Sequence, residues 1–419
     1  MMVNVFGTRA GIRQPMHDRV KELNGAISRN LVQETAVKSL MKLAFAKLQE
    51  LTPNLVTFSD DSPQPWEAVA NSRSQPNGVE IDLFPLIRDF VGHISIPILI
   101  GSDLIKQYPT VMDDLWELDN AFPLLAMGIP SWVPISGVKK AAAARGRLIE
   151  GIGRLHENLD AVATGEADES LVHRMEDVSP IVRERNRIYR EQNFGRLDKG
   201  SMDLALLWAL SANTNTLTFW VLAYIYTIPG LVSRLRAEID PTGQARDLSS
   251  IPLDRILYES PLLKSTFFET LRIASEPASV RYITRDVSIP TPGSSKPTTL
   301  RGGSHITVHG MISQMDESVF PSPTTFQPDR FLSTRKSADD DSEQQSAKYG
   351  ALRPWGLGQH MCRGRVFAER EVMTIVASLV YYYDVAPASG EWKLPGRKPG
   401  SGVNLPTDNM RVVITRRKW

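Results

Sequence analysis

Between Leu204 and Val232 the chain reads LALLWALSANTNTLTFWVLAYIYTIPGLV, without a charged residue. A run this long and apolar either crosses a bilayer or passes through the middle of a protein core. Its centre decides between the two. Ser211, Asn213, Thr214, Asn215 and Thr216 bring hydrogen-bonding groups that hydrocarbon leaves unsatisfied and that a protein interior or a ligand cavity can satisfy. The run therefore reads as a long buried helix, opened by Ser201 and stopped at Pro229-Gly230, whose polar interruption faces something.

The flanking sequence supplies elements to cover such a helix. Apolar residues recur at helical spacing from Val20 to about Leu51 and predict a helical hairpin or one long helix. Residues 80–130 are apolar but interrupted by Pro85, Pro97, Pro109, Pro123 and Pro130, which predicts several short helices. The charged, periodic stretch from Lys139 to Glu191 predicts exposed amphipathic helices. Beyond the uncharged run, PLLKSTFFETLRIA predicts a helix, SVRYIT and HITVHGM short strands, and SADDDSEQQSAKYG (337–350) a solvated loop. With no internal repeat or linker, residues 1–419 read as a single domain, mainly α with a small β portion.

A formal charge of +1 gives no bulk electrostatic case for nucleic acid or an anionic membrane surface. The N-terminus, MMVNVFGTRAGIRQPMHDRVK, has neither an apolar h-region nor a small-residue cleavage site, so the chain as given shows no signal peptide and no transmembrane anchor. One cysteine in 419 residues excludes an intrachain disulfide framework and a CxxC or Cys/His zinc site. What remains is a thiol that packs, or one that reacts or binds a metal.

That thiol, Cys362, lies in PWGLGQHMCRGRVFAE (354–369). Gly356 and Gly358 permit a tight turn, Gly364 leaves room for a flat group, and the helix expected from RVFAEREVMTIVASLVYYY places Cys362 near a helix N-terminus, where a lowered pKa favours the metal-binding thiolate. Upstream, Glu269 and Arg272 of ETLR share a helix face, an arrangement that on a surface contributes only about 0 to 1 kcal/mol. Arg330 in FQPDRFL adds a second guanidinium suited to bidentate carboxylate pairing.

Taken in order, ETLR, PDRF and WGLGQHMCRG resemble the cytochrome P450 family of heme-thiolate proteins. Trp355 stands where the family's heme loop usually has Phe. The LWA, ANT and TFW groups of the long helix, together with ETLRIASEPASVR, resemble the branch that holds cholesterol 7α-hydroxylase, sterol 12α-hydroxylase and prostacyclin synthase. The resemblance implies a P450 fold with heme b (iron protoporphyrin IX) held between the long helix and the Cys-loop helix. It implies Cys362 as axial ligand, His360 and Arg281 as heme-propionate partners, and Trp355, Gly356 and Gly364 as cofactor-contacting positions. Glu269, Arg272 and Arg330 would be structural.

Most of the family carries an acid and an alcohol in the crossing helix. This chain has Ala212 and Asn213 there, followed by Thr214, and these three are the candidate catalytic positions. A carboxamide is no proton source at neutral pH, so proton delivery must use water or neighbours. The implied activity is hydroxylation of a lipophilic sterol, terpenoid or fatty-acid-like molecule with O2 and electrons from an NADPH-dependent cytochrome P450 reductase. The protein is expected to be a monomer at the cytosolic face of the endoplasmic reticulum membrane in its full-length form. Two alternatives stay open: a peroxide isomerase or dehydratase that needs no reductase, and a degenerate heme-binding chain. VFGTRAGIRQPMHDRV resembles the segment leading into the family's heme-contacting helix, and no W-x-x-x-R pair occurs there, so the anchor and early sheet strands are expected to be missing.

Overall fold

In a computed structural model, which describes residues 2–58, 62–135, 137–336, 343–358 and 361–418, the uncharged run becomes one helix of 32 residues, Arg196–Thr227, about 48 Å long at 1.5 Å per residue. This roof helix ends where Pro229-Gly230 predicts, but it begins before Ser201. Its first turns bury Asp198, Lys199 and Asp203, charged residues that the apolar pattern could not assign to a core. Each is partnered. Lys199 pairs with Asp160, and Asp203 accepts from Arg185 Nε (2.7 Å) and faces His156 Nε2 (2.9 Å). Buried charge is tolerable here because it is paired and hydrogen-bonded.

The roof helix joins two apolar cores. Leu204, Leu207, Trp208 and Ala212 belong to one, with Val111, Leu115 and Leu148; Leu217, Phe219, Trp220 and Ile225 belong to the other, with Phe90, Phe267 and Val376. The polar stretch lies where the two cores meet.

Around it pack the helices Val20–Leu31 and Glu34–Leu51, which resolve the predicted hairpin, and Val138–Thr164 and Pro180–Glu191 from the charged stretch. The expectation of short helices over 80–130 holds only in part, because Leu83–Leu99 is continuous across two prolines. Pro85 falls in the first turn, where the missing N–H has no intrahelical acceptor anyway; Pro97 falls in the last turn, and the ladder resumes with Ile100 N–H to Ile96 O (2.9 Å).

The β portion is small. Arg73–Gln75, Gly78–Asp82, Arg411–Arg416 and Tyr383–Pro387 form a four-stranded antiparallel sheet in that spatial order, and Ala278–Tyr282 pairs with His305–His309. The predicted loop over 337–350 is corrected in its second half. Glu343–Ala347 is a strand paired antiparallel with Leu332–Lys336, its polar residues suiting a surface ribbon; residues 337–342 lie outside the described residues.

Glu269 and Arg272 sit on the helix Pro261–Ala274 and are both fully buried, so this is no surface pair. Arg272 Nε donates to Glu269 Oε2 and Nη2 to Oε1, each at 2.8 Å, while Nη1 donates to Gln314 O (2.9 Å) and Pro323 O (2.7 Å). Arg330 Nε reaches both Glu269 oxygens at 3.0 Å. The network thereby fixes the loops 314–330 against the helix whose end carries Leu271 and Ser275. Arg272→Leu removes one of the two guanidiniums from a buried carboxylate and leaves the Gln314 and Pro323 carbonyls without their donor, and is expected to lower stability by about 3 to 5 kcal/mol. Urea denaturation checks this, and a loss below about 1 kcal/mol, the range of an exposed pair, contradicts it.

Candidate active site

A cavity of about 300 Å³ opens at the junction of the two cores. Leu210, Asn213, Thr214 and Leu217 of the roof helix line one wall, Leu271 and Ser275 the end of the ETLR helix, and Ser401, Gly402 and Val403 a C-terminal loop. Trp355, Gly356, Cys362 and Gly364 close it from the opposite side, with Phe367, Ala368 and Glu371 of the Cys-loop helix, Arg365–Tyr382.

The Cys loop takes its shape from backbone geometry. Gly356 (φ 73°) and Gly358 (φ 65°) occupy the left-handed region, which bends the chain so that Cys362 N–H donates back to Trp355 O at 2.8 Å. Trp355 is anchored in turn: its Nε1 donates to the Tyr349 hydroxyl (2.8 Å), which donates to Glu369 Oε2 (2.7 Å), and Lys264 pairs with Glu369 Oε1 (2.7 Å). A Cβ at Gly364 would stand 4.0 Å from the Cys362 sulfur, so a larger side chain there would occupy the space beside it.

Cys362 is exposed, and what it is exposed to is the cavity. Surrounding protein desolvates the thiol and pushes its pKa up; the Gly364 and Arg365 N–H groups and the Arg365 charge pull the other way without prevailing. The expectation of a lowered pKa is thus corrected for the metal-free chain: loss of solvent outweighs the helix terminus. A cationic metal would reverse that balance.

The polar interruption of the roof helix is divided among three directions. Asn213 points to the C-terminal loop, its Oδ1 accepting from Val403 N–H at 2.9 Å. Thr214 is buried, with its residue lining the cavity. Asn215 turns to the Leu83–Leu99 helix, its Nδ2 donating to Arg88 O at 2.7 Å. Ala212 packs in the apolar core and is not among the cavity-lining residues. The C-terminal loop is held from two further sides, by Trp220 Nε1 to Asn404 O (2.6 Å) and Glu276 N–H to Gly402 O (2.8 Å).

Arg281 lies on the strand Ala278–Tyr282, on the same face as Ser279, which lines the cavity two residues earlier. It is half-buried, and its Nη1 donates to Val280 O (2.9 Å); it has no carboxylate partner among the described residues. His360 lies outside the described residues.

Sequence reasoning missed two groups here. One is the Ser401–Val403 loop, for which the sequence offers only glycines. The other is Glu371, whose signal was available: Gly364, Phe367, Ala368 and Glu371 stand at i, i+3, i+4 and i+7, one helical face, and all four line the cavity. Glu371 is buried; its Oε1 accepts from Ser95 Oγ at 2.6 Å, and burial pushes its pKa up to about 8.

A mainly helical fold with a lone thiol turned by glycines into a cavity beneath a long crossing helix defines a narrow class of protein. The family model for cytochrome P450 matches residues 184–413, more than half of the chain, and the chain belongs to that family. It is similar to the cytochrome P450 monooxygenase poxD of Penicillium oxalicum, 26% identical over 73% of this chain and 58% of the relative. It is also similar to the 7-alpha-hydroxycholest-4-en-3-one 12-alpha-hydroxylase of Oryctolagus cuniculus (29%, over 53% of this chain and 46% of the relative). A third relative is the cholesterol 7-alpha-monooxygenase of Cricetulus griseus (29%, 67% and 53%). The chain spans about half to three-fifths of the length of these relatives. The family implies heme, with O2 and electrons from a redox partner. The residues present fit that group: a single sulfur ligand, a clear space beside it at Gly364, and a largely apolar roof.

Removing the Asn213 carboxamide leaves Val403 N–H without its acceptor. Asn213→Ala is expected to raise hydrogen exchange at Val403 by about tenfold, the equivalent of one lost hydrogen bond. Exchange mass spectrometry or NMR reads this, and unchanged protection would show that the loop does not depend on Asn213.

Proposed function

We propose that this chain is the heme-binding part of a monooxygenase that hydroxylates a lipophilic small molecule of sterol, terpenoid or fatty-acid type. The observation that carries the reading is the Cys362 thiol, the only one in the chain, projecting into the cavity opposite Thr214 and Asn213. Heme b bound there supplies oxygen activation, with thiolate ligation favouring O–O cleavage.

The chain's own residues serve that chemistry in distinct ways. Cys362 would hold the iron through sulfur, and Arg281, with no carboxylate partner among the described residues, and His360 would meet the propionates. Trp355, Gly356 and Gly364 shape the wall around the sulfur. Leu210, Leu217, Leu271 and Val403 exclude water and give an apolar substrate its binding surface. Asn213 holds the loop that completes this surface. Support for a sterol-like substrate comes from the activities that the two mammalian relatives are named for.

Electrons are assigned to an NADPH-dependent cytochrome P450 reductase, and the protein is read as a monomer working at the cytosolic face of the endoplasmic reticulum membrane. Among the described residues no single helix is long and apolar enough to cross a membrane.

The reduced protein with carbon monoxide is expected to show the strongly red-shifted Soret band of thiolate ligation, and Cys362→Ala to abolish it. An unshifted band in folded, heme-loaded protein overturns the assignment. With reductase present, NADPH-dependent product formation supports monooxygenation; turnover of a lipid hydroperoxide without reductant would instead place the chain with the peroxide-rearranging enzymes.

A further inference from the structure

Trp355 lines the cavity, and its carbonyl oxygen accepts from Cys362 N–H at 2.8 Å. From its indole a chain of polar contacts leads away from the cavity. Trp355 Nε1 donates to the Tyr349 hydroxyl (2.8 Å), the hydroxyl donates to Glu369 Oε2 (2.7 Å), and Glu369 Oε1 pairs with Lys264 (2.7 Å). The far end reaches solvent, since the Lys264 side chain is 32% exposed and that of Glu369 17%. Tyr349 also stacks on Phe268, with ring centroids 3.8 Å apart, which holds the phenol between the indole and the carboxylate.

Phenylalanines at 349 and 355 would fill the same space, so packing alone does not call for these two residues. Indole and phenol are, with the sulfur side chains, the most readily oxidised groups in proteins. An electron passes quickly between rings in hydrogen-bond contact, because tunnelling falls off steeply with distance. Burial and the neighbouring Glu369 charge push the Tyr349 pKa up, so the phenol keeps its proton in the resting protein. Loss of an electron inverts that preference. A phenol radical cation is a strong acid, and Glu369 Oε2 stands 2.7 Å from its oxygen, within reach for a proton acceptor.

We propose that Trp355 and Tyr349 relay electrons between the heme site and the surface, with Glu369 as proton acceptor, and so give the chain a peroxidase activity toward small one-electron donors. The inference rests on the heme-thiolate reading above. Hydrogen peroxide takes up two electrons and two protons to become two water molecules. Trp355 gives one electron toward the heme site, and Tyr349 replaces it; the Tyr349 O–H bond breaks and its proton passes to Glu369. The tyrosyl radical is restored when a small reductant of the ascorbate or phenol class delivers an electron and Glu369 returns the proton. A second passage supplies the second electron, and the two protons that complete the water molecules come from solvent.

The test mixes heme-loaded protein with hydrogen peroxide and follows it by freeze-quench electron paramagnetic resonance. Wild type is expected to give a neutral tyrosyl radical, recognised by its narrowing when the tyrosines are ring-deuterated, and ascorbate is expected to remove the signal and protect the Soret band from bleaching. Tyr349→Phe should lose both the signal and the protection. Glu369→Gln keeps an acceptor for the Tyr349 hydroxyl but is no base at neutral pH, and should slow the radical's appearance on the order of a hundredfold. The carbon monoxide spectrum of each protein is recorded beside these measurements. An unshifted band in wild type defeats the heme-thiolate reading and the relay with it, whereas a shifted band with no tyrosyl signal defeats the relay alone. The relay is equally overturned by a Tyr349→Phe protein that keeps the full signal, or by a Glu369→Gln protein that forms it at the wild-type rate. Should Tyr349→Phe fail to retain heme, Glu369→Gln decides the question.

Discussion

The polar groups of a helix buried on every side cost free energy unless a protein partner or a cavity receives them, and in this chain that cost organises the interior. The roof helix is covered by two apolar cores, and its polar residues fall where the cores meet. Each leaves in its own direction: Asn213 to Val403, Asn215 to the backbone of Arg88, Thr214 to the cavity. An all-apolar sequence would fill that junction with side chains. The cavity exists because a stretch of the crossing helix does not pack as hydrocarbon does.

The opposite wall depends on a different device. The Cys loop carries little apolar weight and is held by backbone and polar contacts: two glycines at positive φ, the Cys362 N–H to Trp355 O bond, and the Trp355–Tyr349–Glu369–Lys264 chain. Behind both walls stands the buried Glu269–Arg272–Arg330 network, which ties a helix lining the cavity to the loops on the far side. Its guanidiniums also donate to the backbone carbonyls of Gln314, Pro323 and Pro321, so one buried carboxylate organises polypeptide far apart in sequence.

How much of this could be read beforehand varies with the kind of interaction. The crossing helix, the ETLR helix and the Cys-loop helix were legible because apolar periodicity and chain-stopping prolines are local signals. The start of the crossing helix was not, because Asp198, Lys199 and Asp203 look like surface residues until Arg9 arrives from the N-terminal segment and Asp160, Arg185 and His156 from other helices. The Glu343–Ala347 strand was hidden for a similar reason: a polar ribbon has no hydrophobic alternation to betray it. At the site, the sulfur and its glycines were visible from spacing alone. The direction of the Cys362 pKa shift was not, since desolvation is a property of the assembled cavity. From the sequence Asn213 reads as a candidate catalytic position, and the hydrogen bond that ties it to Val403 appears only when the C-terminus folds back.

The proposed function requires the cavity wall to present the Cys362 sulfur to a heme held beneath the roof helix. Alkylation of this single thiol by iodoacetamide, under alkaline conditions, measures it directly. The sulfur is expected to react in the heme-free protein, where it faces open space, and to stop reacting once one equivalent of heme is bound. Equal reactivity in the two forms, with heme demonstrably retained, would contradict the claim.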